Sequence, residues 1–499
     1  MKRRALISVT DKSGIIDLTR SLLQSNYEIV ATSGTHRELR AAGIDAREIS
    51  EITGVQELAG GRVKSLHPRI FAGILATGSE RDLLGSGGDD EMAAIDIVVA
   101  NLYRFERSNE HLDVEQIDVG GVALIRAAAK NFADVTLLTS PSQYQELIDS
   151  LPTGFSMERR RELAGIGFAL TARYDLAIAR ALTKPLRYGE NPHQGAALLS
   201  SGGGVAGARN RSHRNAKTLS YNNYLDADAA WRAVLDHGEE KAVIAIVKHS
   251  NPCGIARAQN SLAAFRKALE CDPVSSYGGV VASNRIVDID LAKDLNEIFL
   301  EVIIAPGFTD EALATLQRRE NVRLLEVDSL HIEETRETDE KQDARQNSLT
   351  GAFISGGILI QERDEIAMES SDDWELVSGK RVSDEVMRDL RFAWRAARSV
   401  KSNAIVIARD ESTIGIGMGQ VSRVDAARLA VSRGGERVNG AVAASDAFFP
   451  FADGAMELAN AGVIAIVQPG GSKRDGEVIE AMSSAGISMY FTHRRHFSH

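Results

Sequence analysis

The sequence predicts an α/β protein: a parallel sheet covered by helices, followed by a larger α/β region. Short apolar runs alternate with helical periodicity through the first 183 residues, which is the pattern of consecutive β–α units. A break rich in Gly, Pro and polar residues follows at 184–216, and the alternation then resumes to residue 499. We therefore expect one domain at 1–183, a linker and the start of the second region at 184–216, and two α/β subdomains at 217–499.

In the first domain, the strands are predicted at ALISV, YEIVAT, IDIVVANLY and DVTLLTS. Helical periodicity occupies GIIDLTRSLLQS, THRELRAAG and GGVALIRAAAKNF. Ligands of such folds bind at the carboxyl ends of the strands. The segments SVTDKSG, ATSGTHR and NLYRF are therefore the first candidates for a site.

The second region repeats the alternation, although no tandem repeat of fixed period is visible. Its predicted strands are KAVIAIVKH, GGVVAS, LEVIIAP, GGILIQE, SNAIVIARD and GVIAIVQPGG. The charge run at 330–348 predicts a solvated excursion.

Composition limits the partners and the compartment. The chain carries a net charge of −11, which argues against nucleic acid or an anionic membrane as a general partner. Its two cysteines are too few for a disulfide framework. The apolar run near the N-terminus is too short for a signal peptide, and no apolar run approaches about 20 residues. These features predict a cytoplasmic protein.

Two strand ends carry groups that suit a phosphate. ATSGTH, at 31–36, places hydroxyls and backbone N–H groups at a predicted helix N-terminus. A plain N-cap is the alternative interpretation. SVTDKSG, at 8–14, adds two more hydroxyl positions and a lysine at another strand end, which favours the phosphate site.

The Gly-rich loop GGRVKSLHP places Arg62 and Lys64 two residues apart. In an extended chain both side chains point the same way, so an anion between them would relieve their repulsion. Two solvated surface charges are the alternative interpretation.

Asp118 precedes two glycines and a predicted helix, and Lys130 lies near the end of that helix. The alternative roles are helix capping for Asp118 and interaction with the helix dipole for Lys130. A straight helix would separate the two by about 15 Å or more. If both serve one site, the helix must end early or the substrate must span the gap.

VKHSNPCG, at 247–254, follows an apolar run and contains turn-forming residues. A zinc deaminase site is excluded because His249 has no Glu two residues later and Cys253 has no second Cys at the required spacing. We expect Lys248 and His249 at the carboxyl end of a strand, where Asn251 is extended before Pro252 and Gly254 relaxes the exit.

The C-terminal part offers two further candidates. SDAFFPFADG contains three neighbouring phenylalanines that cannot all face one core, so at least one could stack on a planar ligand. FTHRRHFSH could be a frayed tail or could fold back as an anion-binding segment.

Together these stretches closely resemble one family, the bifunctional AICAR (aminoimidazole carboxamide ribonucleotide) formyltransferase/IMP cyclohydrolases of purine biosynthesis. The matching stretches run in order over nearly the whole chain and include SVTDKSG, GGRVKSLHP, QIDVGGVALIRAAAKN, LRYGENPHQ, VKHSNPCG, VKSNAIVIA, TIGIGMGQVSR, SDAFFPF and the terminal RHFSH.

The resemblance implies a methylglyoxal-synthase-like first domain that cyclises formyl-AICAR to IMP. It implies a second region of two cytidine-deaminase-like subdomains without zinc, which transfers a formyl group from 10-formyltetrahydrofolate to AICAR. It also implies a homodimer with transformylase sites at the subunit interface. A potassium ion is possible, and Asp446 is the only side chain that we would name for it.

The family's functional residues fall on defined positions of this chain. Catalytic positions for cyclisation are Lys64, Tyr103, Asp118 and Lys130, and those for formyl transfer are Lys248, His249 and Asn403. Nucleotide contacts in the first domain are Ser8, Lys12, Thr32, Gly34, Thr35, Arg62 and Ser65. Binding positions in the second region are Arg187, Tyr188, Asn223, Gly278, Glu301, Arg423, Phe448, Arg495, Phe497 and His499.

The chain departs from the family at Ala452, where Arg is common, and at Tyr277, where Phe is usual. Two rival functions are a single-activity relative of methylglyoxal synthase and a purine nucleotide-binding regulatory protein. VKHSNPCG and SDAFFPF disfavour the first. Lys64, Lys248 and His249 disfavour the second.

Overall fold

The computed structural model describes residues 3–55, 63, 65–84, 93–103, 105, 114–151, 153–200, 202–327, 349–364 and 373–499. The chain forms two compact units, Met1–Thr183 and Lys184–His499. Among the described residues, none of the helices combines the length and the apolar character needed to cross a membrane.

The first unit is built from alternating strands and helices. Its strands are β1 (Arg3–Ser8), β2 (Tyr27–Ala31), β3 (Arg47–Glu48), β4 (Ile97–Ala100) and β5 (Thr136–Leu138). Its α-helices are α1 (Ile15–Gln24), α2 (Ser33–Ala41), α3 (Ile49–Thr53), α4 (Pro68–Leu75), α5 (Ser79–Leu83), α6 (Gly120–Lys130), α7 (Tyr144–Ser150) and α8 (Met157–Leu182).

The five strands form a parallel sheet in the order β3-β2-β1-β4-β5. Both faces of the sheet are buried. On β1, Ala5 and Ile7 join one core with α1 and α7, whereas Leu6 joins a second core with α4 and α6. Alternate residues of a strand point to opposite faces, so the continuous apolar runs correctly predict a sheet between two helical layers.

The second unit begins with β6 (Arg209–Asn210), which lies in the segment expected as linker. The remaining strands are β7 (Ala242–Lys248), β8 (Asn251–Ala258), β9 (Gly279–Ser283), β10 (Leu300–Ala305), β11 (Arg323–Glu326), β12 (Leu349–Ile354), β13 (Gly357–Glu362), β14 (Glu375–Ser378), β15 (Ile405–Arg409), β16 (Ser412–Gly417), β17 (Val442–Ser445), β18 (Ala465–Gln468) and β19 (Ser488–Phe491). Its α-helices are α9 (Tyr221–Leu235), α10 (Ser261–Cys271), α11 (Ile289–Leu295), α12 (Asp310–Leu316), α13 (Asp384–Arg398), α14 (Arg423–Gly434), α15 (Ala452–Asn460) and α16 (Asp475–Ser484).

One sheet of twelve strands runs through this unit in the order β14-β19-β18-β17-β15-β16-β8-β7-β9-β10-β11-β6. The order reads as two equivalent halves joined at β16 and β8. Within each half, a hairpin pairs antiparallel with a third strand, two parallel neighbours follow, and a short antiparallel strand forms the edge. The structure therefore contains a duplication that the sequence did not reveal as a repeat.

The helices divide between the two faces of this sheet. Helices α9 and α13 share one core that crosses both halves. On the opposite face, α10–α12 cover the first half and α14–α16 cover the second. A glycine at the fourth position of each hairpin's second strand allows this packing: a Cβ on Gly254 or Gly415 would lie 2.0 or 2.1 Å from a helix carbonyl oxygen. The prediction that Gly254 relaxes the exit from a strand is therefore wrong, because Gly254 lies inside β8.

The predicted strand at 356–362 also differs from the expected pattern. It forms β13, which pairs with β12 in a separate antiparallel hairpin. Phe353 and Ile360 of this hairpin are 73% and 67% exposed. The charge run at 330–348 lies outside the described residues.

Candidate active sites

In the first unit, the carboxyl ends of three neighbouring strands meet as expected. The hydroxyl of Thr32, after β2, donates to the hydroxyl of Ser8, at the end of β1, at 3.2 Å. Asn101, after β4, accepts from the backbone N–H of Thr10 at 2.6 Å and of Asp11 at 3.0 Å. The three segments therefore form one edge of the sheet, where ligands of such folds bind.

The N-terminus of α2 lies at this edge. Thr32 occupies the N-cap position, but its side chain makes no capping hydrogen bond. A Cβ on Gly34 would meet no atom within 4 Å, so the space beside this helix end is open. Thr35 is different: its buried hydroxyl accepts from Val9 N–H and donates to Val9 O, both at 3.2 Å. Thr35 can therefore contact a ligand only through its backbone.

Asp118 is held at the start of α6. Its carboxylate accepts from the N–H of Gly121 at 2.7 Å, and its own N–H donates to the hydroxyl of Tyr174 at 2.7 Å. A Cβ on Gly120 would lie 2.8 Å from Ser65 Oγ, so the glycine permits Ser65 to approach the start of α6 closely. Burial raises the pKa of Asp118, and the Gly121 N–H opposes this. A carboxylate with a raised pKa is a better proton acceptor.

The other cyclisation candidates are not all brought together. Tyr103 is exposed, and Lys12 forms a 3.4 Å ion pair with Glu38. Helix α6 continues to Lys130 without ending early, which leaves Lys130 about 15 Å from the Asp118 end of the helix. Lys130 and Asp118 therefore serve one site of this chain only if the substrate spans the helix. The candidates Arg62 and Lys64 lie outside the described residues.

In the second unit, Lys248 and His249 stand at the carboxyl end of β7. Lys248 pairs with Asn251 across the hairpin, and His249 and Ser250 form a two-residue turn between β7 and β8. Their φ angles are +54° and +57°, as in the turns that favour tight antiparallel hairpins. The strand thus ends immediately before His249. The His249 side chain therefore need not point to the face opposite Lys248, as it would inside a strand.

The turn is fixed by Asp226 of α9. Its carboxylate accepts from the N–H of Ser250 at 2.6 Å and also bonds the N–H of His249. Burial raises the pKa of Asp226, and the two turn N–H groups oppose this. Sequence reasoning missed Asp226 because no local pattern relates a helical aspartate to a turn 23 residues later.

The candidate Gly278 lies next to a contact of Lys248. Lys248 Nζ donates to the carbonyl of Tyr277, the residue before Gly278, at 2.9 Å. Gly278 has a φ of +78° and donates its N–H to the carbonyl of Phe299 at 2.7 Å. The Lys248 side chain therefore reaches the backbone beside Gly278.

Glu301 connects this region to the segment that contains Arg187. Asn223, one helical turn before Asp226, donates to the Glu301 carboxylate at 2.7 Å, and Arg323 lies 3.7 Å from it. Burial lowers the pKa of Arg323, and nearby Arg187 lowers it further. Two guanidinium groups that disfavour each other's charge form a suitable place for an anion.

Five of the remaining formyl-transfer candidates line a cavity of about 470 Å³ in the second half of the unit. Asn403, Arg423, Phe448, Arg495 and Phe497 all contribute to its walls. Phe449 is fully buried in the core, whereas Phe448 and Phe451 line the cavity. The structure therefore gives the neighbouring phenylalanines the divided roles that the sequence predicted.

The C-terminal segment is docked rather than frayed. Ser402 N–H donates to the Ser498 carbonyl at 2.9 Å, and Ser498 N–H donates to Ser402 Oγ at 3.1 Å. The carbonyl of His499 accepts from Lys401 Nζ. Lys401 N–H in turn donates to Asn251 Oδ1 at 3.1 Å, which connects the wall of the cavity to the hairpin that carries His249.

Arg423 fixes Asn403 in the cavity wall. It donates to Asn403 Oδ1 at 2.7 Å and forms a buried ion pair with Asp446. Asp446 also accepts from Ser402 Oγ and from Ala404 N–H. Asp446 thus connects Ser402, Ala404 and Arg423 in the cavity wall, and the potassium ion stays a prediction.

The two cysteines, Cys253 and Cys271, are buried, and burial raises their thiol pKa values to about 12 and about 11. No group of three His, Cys, Asp or Glu that could hold a metal is found in the part of the chain that the structure describes.

Comparison with known proteins identifies the family. The sequence model of the AICARFT/IMPCHase bienzyme matches residues 128–433, and that of the MGS-like domain matches residues 14–131. The chain belongs to the AICARFT/IMPCHase bienzyme family. It is thus a bifunctional enzyme of purine biosynthesis, and its first domain is methylglyoxal-synthase-like, as predicted. The cytidine-deaminase-like character of the second region stays a prediction.

Several curated relatives span the whole chain. The bifunctional purine biosynthesis protein PurH of Corynebacterium glutamicum (strain R) is 47% identical over 100% of this chain and 98% of its own length. Those of Cutibacterium acnes and Mycobacterium marinum are 45% and 46% identical over 100% of this chain, and over 99% and 98% of their own lengths. A solved structure, the crystal structure of ForH, is 35% identical over 36% of this chain and 98% of its own, with a TM-score of 0.33.

Proposed function

We propose that this AICAR formyltransferase/IMP cyclohydrolase divides its two reactions between its two units. The second unit transfers the formyl group of 10-formyltetrahydrofolate to AICAR, and the first closes formyl-AICAR to IMP with loss of water. The proposal is carried by the match of the MGS-like model to residues 14–131, inside the first unit, and of the bienzyme model to residues 128–433, which cover most of the second unit. Relatives also align over the whole length of the chain.

For cyclisation, an amide nitrogen must attack the formyl carbon and a hydroxyl must leave as water. Asp118 is suited to accept the amide proton because burial raises its pKa. Tyr103 would hold or protonate the leaving hydroxyl, and Lys64 would stabilise developing negative charge on oxygen. Lys130, about 15 Å away at the other end of α6, would share this role only for a substrate that spans the helix. The strand-end hydroxyls and the N-terminus of α2 would bind the nucleotide phosphate.

For formyl transfer, the AICAR amine attacks the formyl carbon, and the carbon–nitrogen bond to the folate breaks. The amine must lose a proton, and the departing folate nitrogen must gain one. His249 and Lys248 are assigned these two transfers, because the turn places them side by side at the end of β7. Asn403, held by Arg423 in the cavity wall, would orient the reactants.

The active form proposed is a homodimer that uses the β12–β13 hairpin as part of its interface. An isolated two-stranded hairpin is at best marginally stable in water. This hairpin nevertheless exposes five large apolar side chains: Leu349, Phe353, Ile354, Leu359 and Ile360. Exposed apolar patches of this kind mark interaction surfaces, and a second copy of the chain would cover them.

The remaining partners follow from the same assignment. The folate is a co-substrate, and the small-molecule ligands are AICAR, formyl-AICAR and IMP; nucleic acid and membrane are not expected partners. A cytoplasmic location rests on the sequence features described above. A potassium ion near Asp446 stays a prediction.

The test is an assay of purified protein with AICAR and 10-formyltetrahydrofolate in which tetrahydrofolate and IMP are both measured. Both products should form. In the Lys64→Ala variant, the two-step reaction should stop at formyl-AICAR while tetrahydrofolate release continues. Binding of AICAR without release of tetrahydrofolate would contradict the proposal and favour a regulatory protein. Unchanged conversion of added formyl-AICAR by Lys64→Ala would contradict the assignment of the first site.

A further inference from the structure

The two halves of the second unit contain the same turn at the same place. In the first half, His249 and Ser250 connect β7 to β8 with φ angles of +54° and +57°. In the second half, Asp410 and Glu411 connect β15 to β16 with φ angles of +52° and +53°. Positive φ angles are unfavourable for residues that carry a Cβ, so each turn needs support from its surroundings.

An aspartate supplies that support in both halves. Helices α9 and α13 are both 15 residues long and precede the two hairpins, and the sixth residue of each is an aspartate. Asp226 accepts from the N–H groups of Ser250, at 2.6 Å, and His249. Asp389 accepts from the N–H groups of Asp410, at 3.0 Å, and Glu411, at 2.8 Å.

We propose that Asp226 is a positioning residue for formyl transfer, which holds the backbone of His249 in the left-handed conformation that directs its side chain towards the reactants. The proposal rests on the assignment of His249 to proton transfer. Asp226 acts through the turn because its shortest contact is with a backbone N–H, and its charge also acts on His249. Asp389 makes the equivalent backbone contacts where no catalytic residue is assigned, so such contacts support a turn without taking part in chemistry.

The position of Asp226 makes the turn sensitive to this one side chain. The carboxylate is largely removed from solvent, and burial raises its pKa. Without the Asp226 carboxylate, the N–H groups of His249 and Ser250 lose their hydrogen-bond acceptor. Both residues then lose the contacts that stabilise an unfavourable positive φ angle. A displacement of about 1 Å at a catalytic group can lower a rate by about 100-fold.

Asp389 provides a matched control within the same chain. We would compare Asp226→Ala, Asp226→Asn and Asp389→Ala for thermal stability, for kcat and KM of formyl transfer, and for cyclisation of added formyl-AICAR. Asp226→Ala should lower kcat of formyl transfer by roughly tenfold or more, with KM for AICAR changed much less. Asp226→Asn, which keeps an acceptor oxygen, should recover part of the loss. Asp389→Ala should lower the melting temperature by a similar amount but keep kcat within about threefold.

Equal effects of Asp226→Ala and Asp389→Ala on kcat would overturn the proposal, because a purely structural turn would explain both. If Asp226→Ala does not fold, Asp226→Asn decides the question through the ratio of its kcat to that of Asp389→Asn.

A double variant separates this proposal from the assignment of His249. In a His249→Ala background, adding Asp226→Asn should cause no further loss of kcat, since Asp226 acts through His249. A further tenfold loss in that background would refute the positioning role. If His249→Ala itself transfers formyl at the native rate, the failure belongs to the assignment of His249 rather than to Asp226.

Discussion

The β7–β8 and β15–β16 turns have the same backbone conformation and the same supporting aspartate, yet they carry different side chains. The first presents Lys248 and His249. The second presents Glu411, whose carboxylate lies 3.0 Å from Arg257 and also binds Lys241, two residues of the first hairpin. The first turn carries the residues proposed for formyl transfer, whereas the second connects the two halves. The duplicated fold therefore determines the conformation of the turn, and the side chains determine what each turn can do.

The largest effect should come from removing the imidazole of the first turn. His249→Ala should lower formyl transfer by about 100-fold or more, which is the usual contribution of a positioned acid or base. AICAR binding should change far less, and cyclisation of added formyl-AICAR should be unaffected. Rapid-quench measurement of tetrahydrofolate release checks this, with Glu411→Gln as the variant of the equivalent turn. Native-rate transfer by His249→Ala would make both turns structural and remove the contrast between them.

The next effect concerns the β12–β13 hairpin, which has no counterpart in the first half among the residues that the structure describes. Replacing both Phe353 and Ile360 with Glu should place charges in the proposed subunit interface. The variant should then be monomeric, as measured by sedimentation. If the transformylase sites need both subunits, formyl transfer should fall by about tenfold or more, because an interface tolerates unpaired buried charge poorly. Val274→Glu is the matched control, since Val274 is 84% exposed in the same unit. A monomeric variant with full transfer activity would exclude a shared site.

A smaller effect is expected on stability when the second turn is changed. Glu411→Gln should lower the free energy of unfolding by about 2 kcal/mol, because it removes the buried charged partner of Arg257 and Lys241 and leaves Arg257 with the exposed Glu240 at 3.5 Å. Asp425→Asn removes an exposed partner of Arg428 and should change stability by less than about 0.5 kcal/mol. Chemical unfolding monitored by circular dichroism compares the two. If Glu411→Gln and Asp425→Asn both cause equally negligible losses of unfolding free energy, Glu411 does not stabilise the contact between the two halves.

The smallest effect is a pH dependence shared by the two supporting aspartates. Burial raises the pKa of both Asp226 and Asp389, so the folded state binds protons more tightly than the unfolded state. Each group's contribution to stability is therefore fully present below the unfolded-state pKa and is lost as pH rises through the folded-state value. Relative to Asp389→Asn, the native protein should lose stability as pH increases across that window. Unfolding midpoints of both proteins over a pH series measure how their difference in stability changes with pH. A difference that grows in favour of the native protein as pH rises would contradict the raised pKa values.

Much of the fold could be predicted because its signals are local. Continuous apolar runs indicated strands buried on both faces, and β1, β2, β4 and β5 formed where such runs occur. The edge that joins Ser8, Thr32 and Asn101 followed from the rule that parallel strands end on one side of the sheet. The predicted strand at 356–362 was paired differently because an apolar run does not reveal its partner.

The site was predicted less completely, because several contacts join distant parts of the chain. Asp226 and Asp389 support their turns across 23 and 21 residues of sequence, and no periodicity encodes that relation. The docking of Ser498 on Ser402 spans 96 residues. It distinguishes a folded C-terminal segment from a frayed tail, two interpretations that the residues of that segment alone leave equally possible.

The fold class, the order of strands and helices, and the candidates at strand ends could be read from the sequence, because these depend on residues close to one another in the chain. The structure was needed for the matching strand order of the two halves, for the positive φ angles of His249 and Ser250, and for the hydrogen bonds between the Thr35 hydroxyl and Val9. The physical reason is that strand pairing, helix packing and buried hydrogen bonds join groups far apart in sequence. Their free energy depends on the whole arrangement rather than on any local pattern.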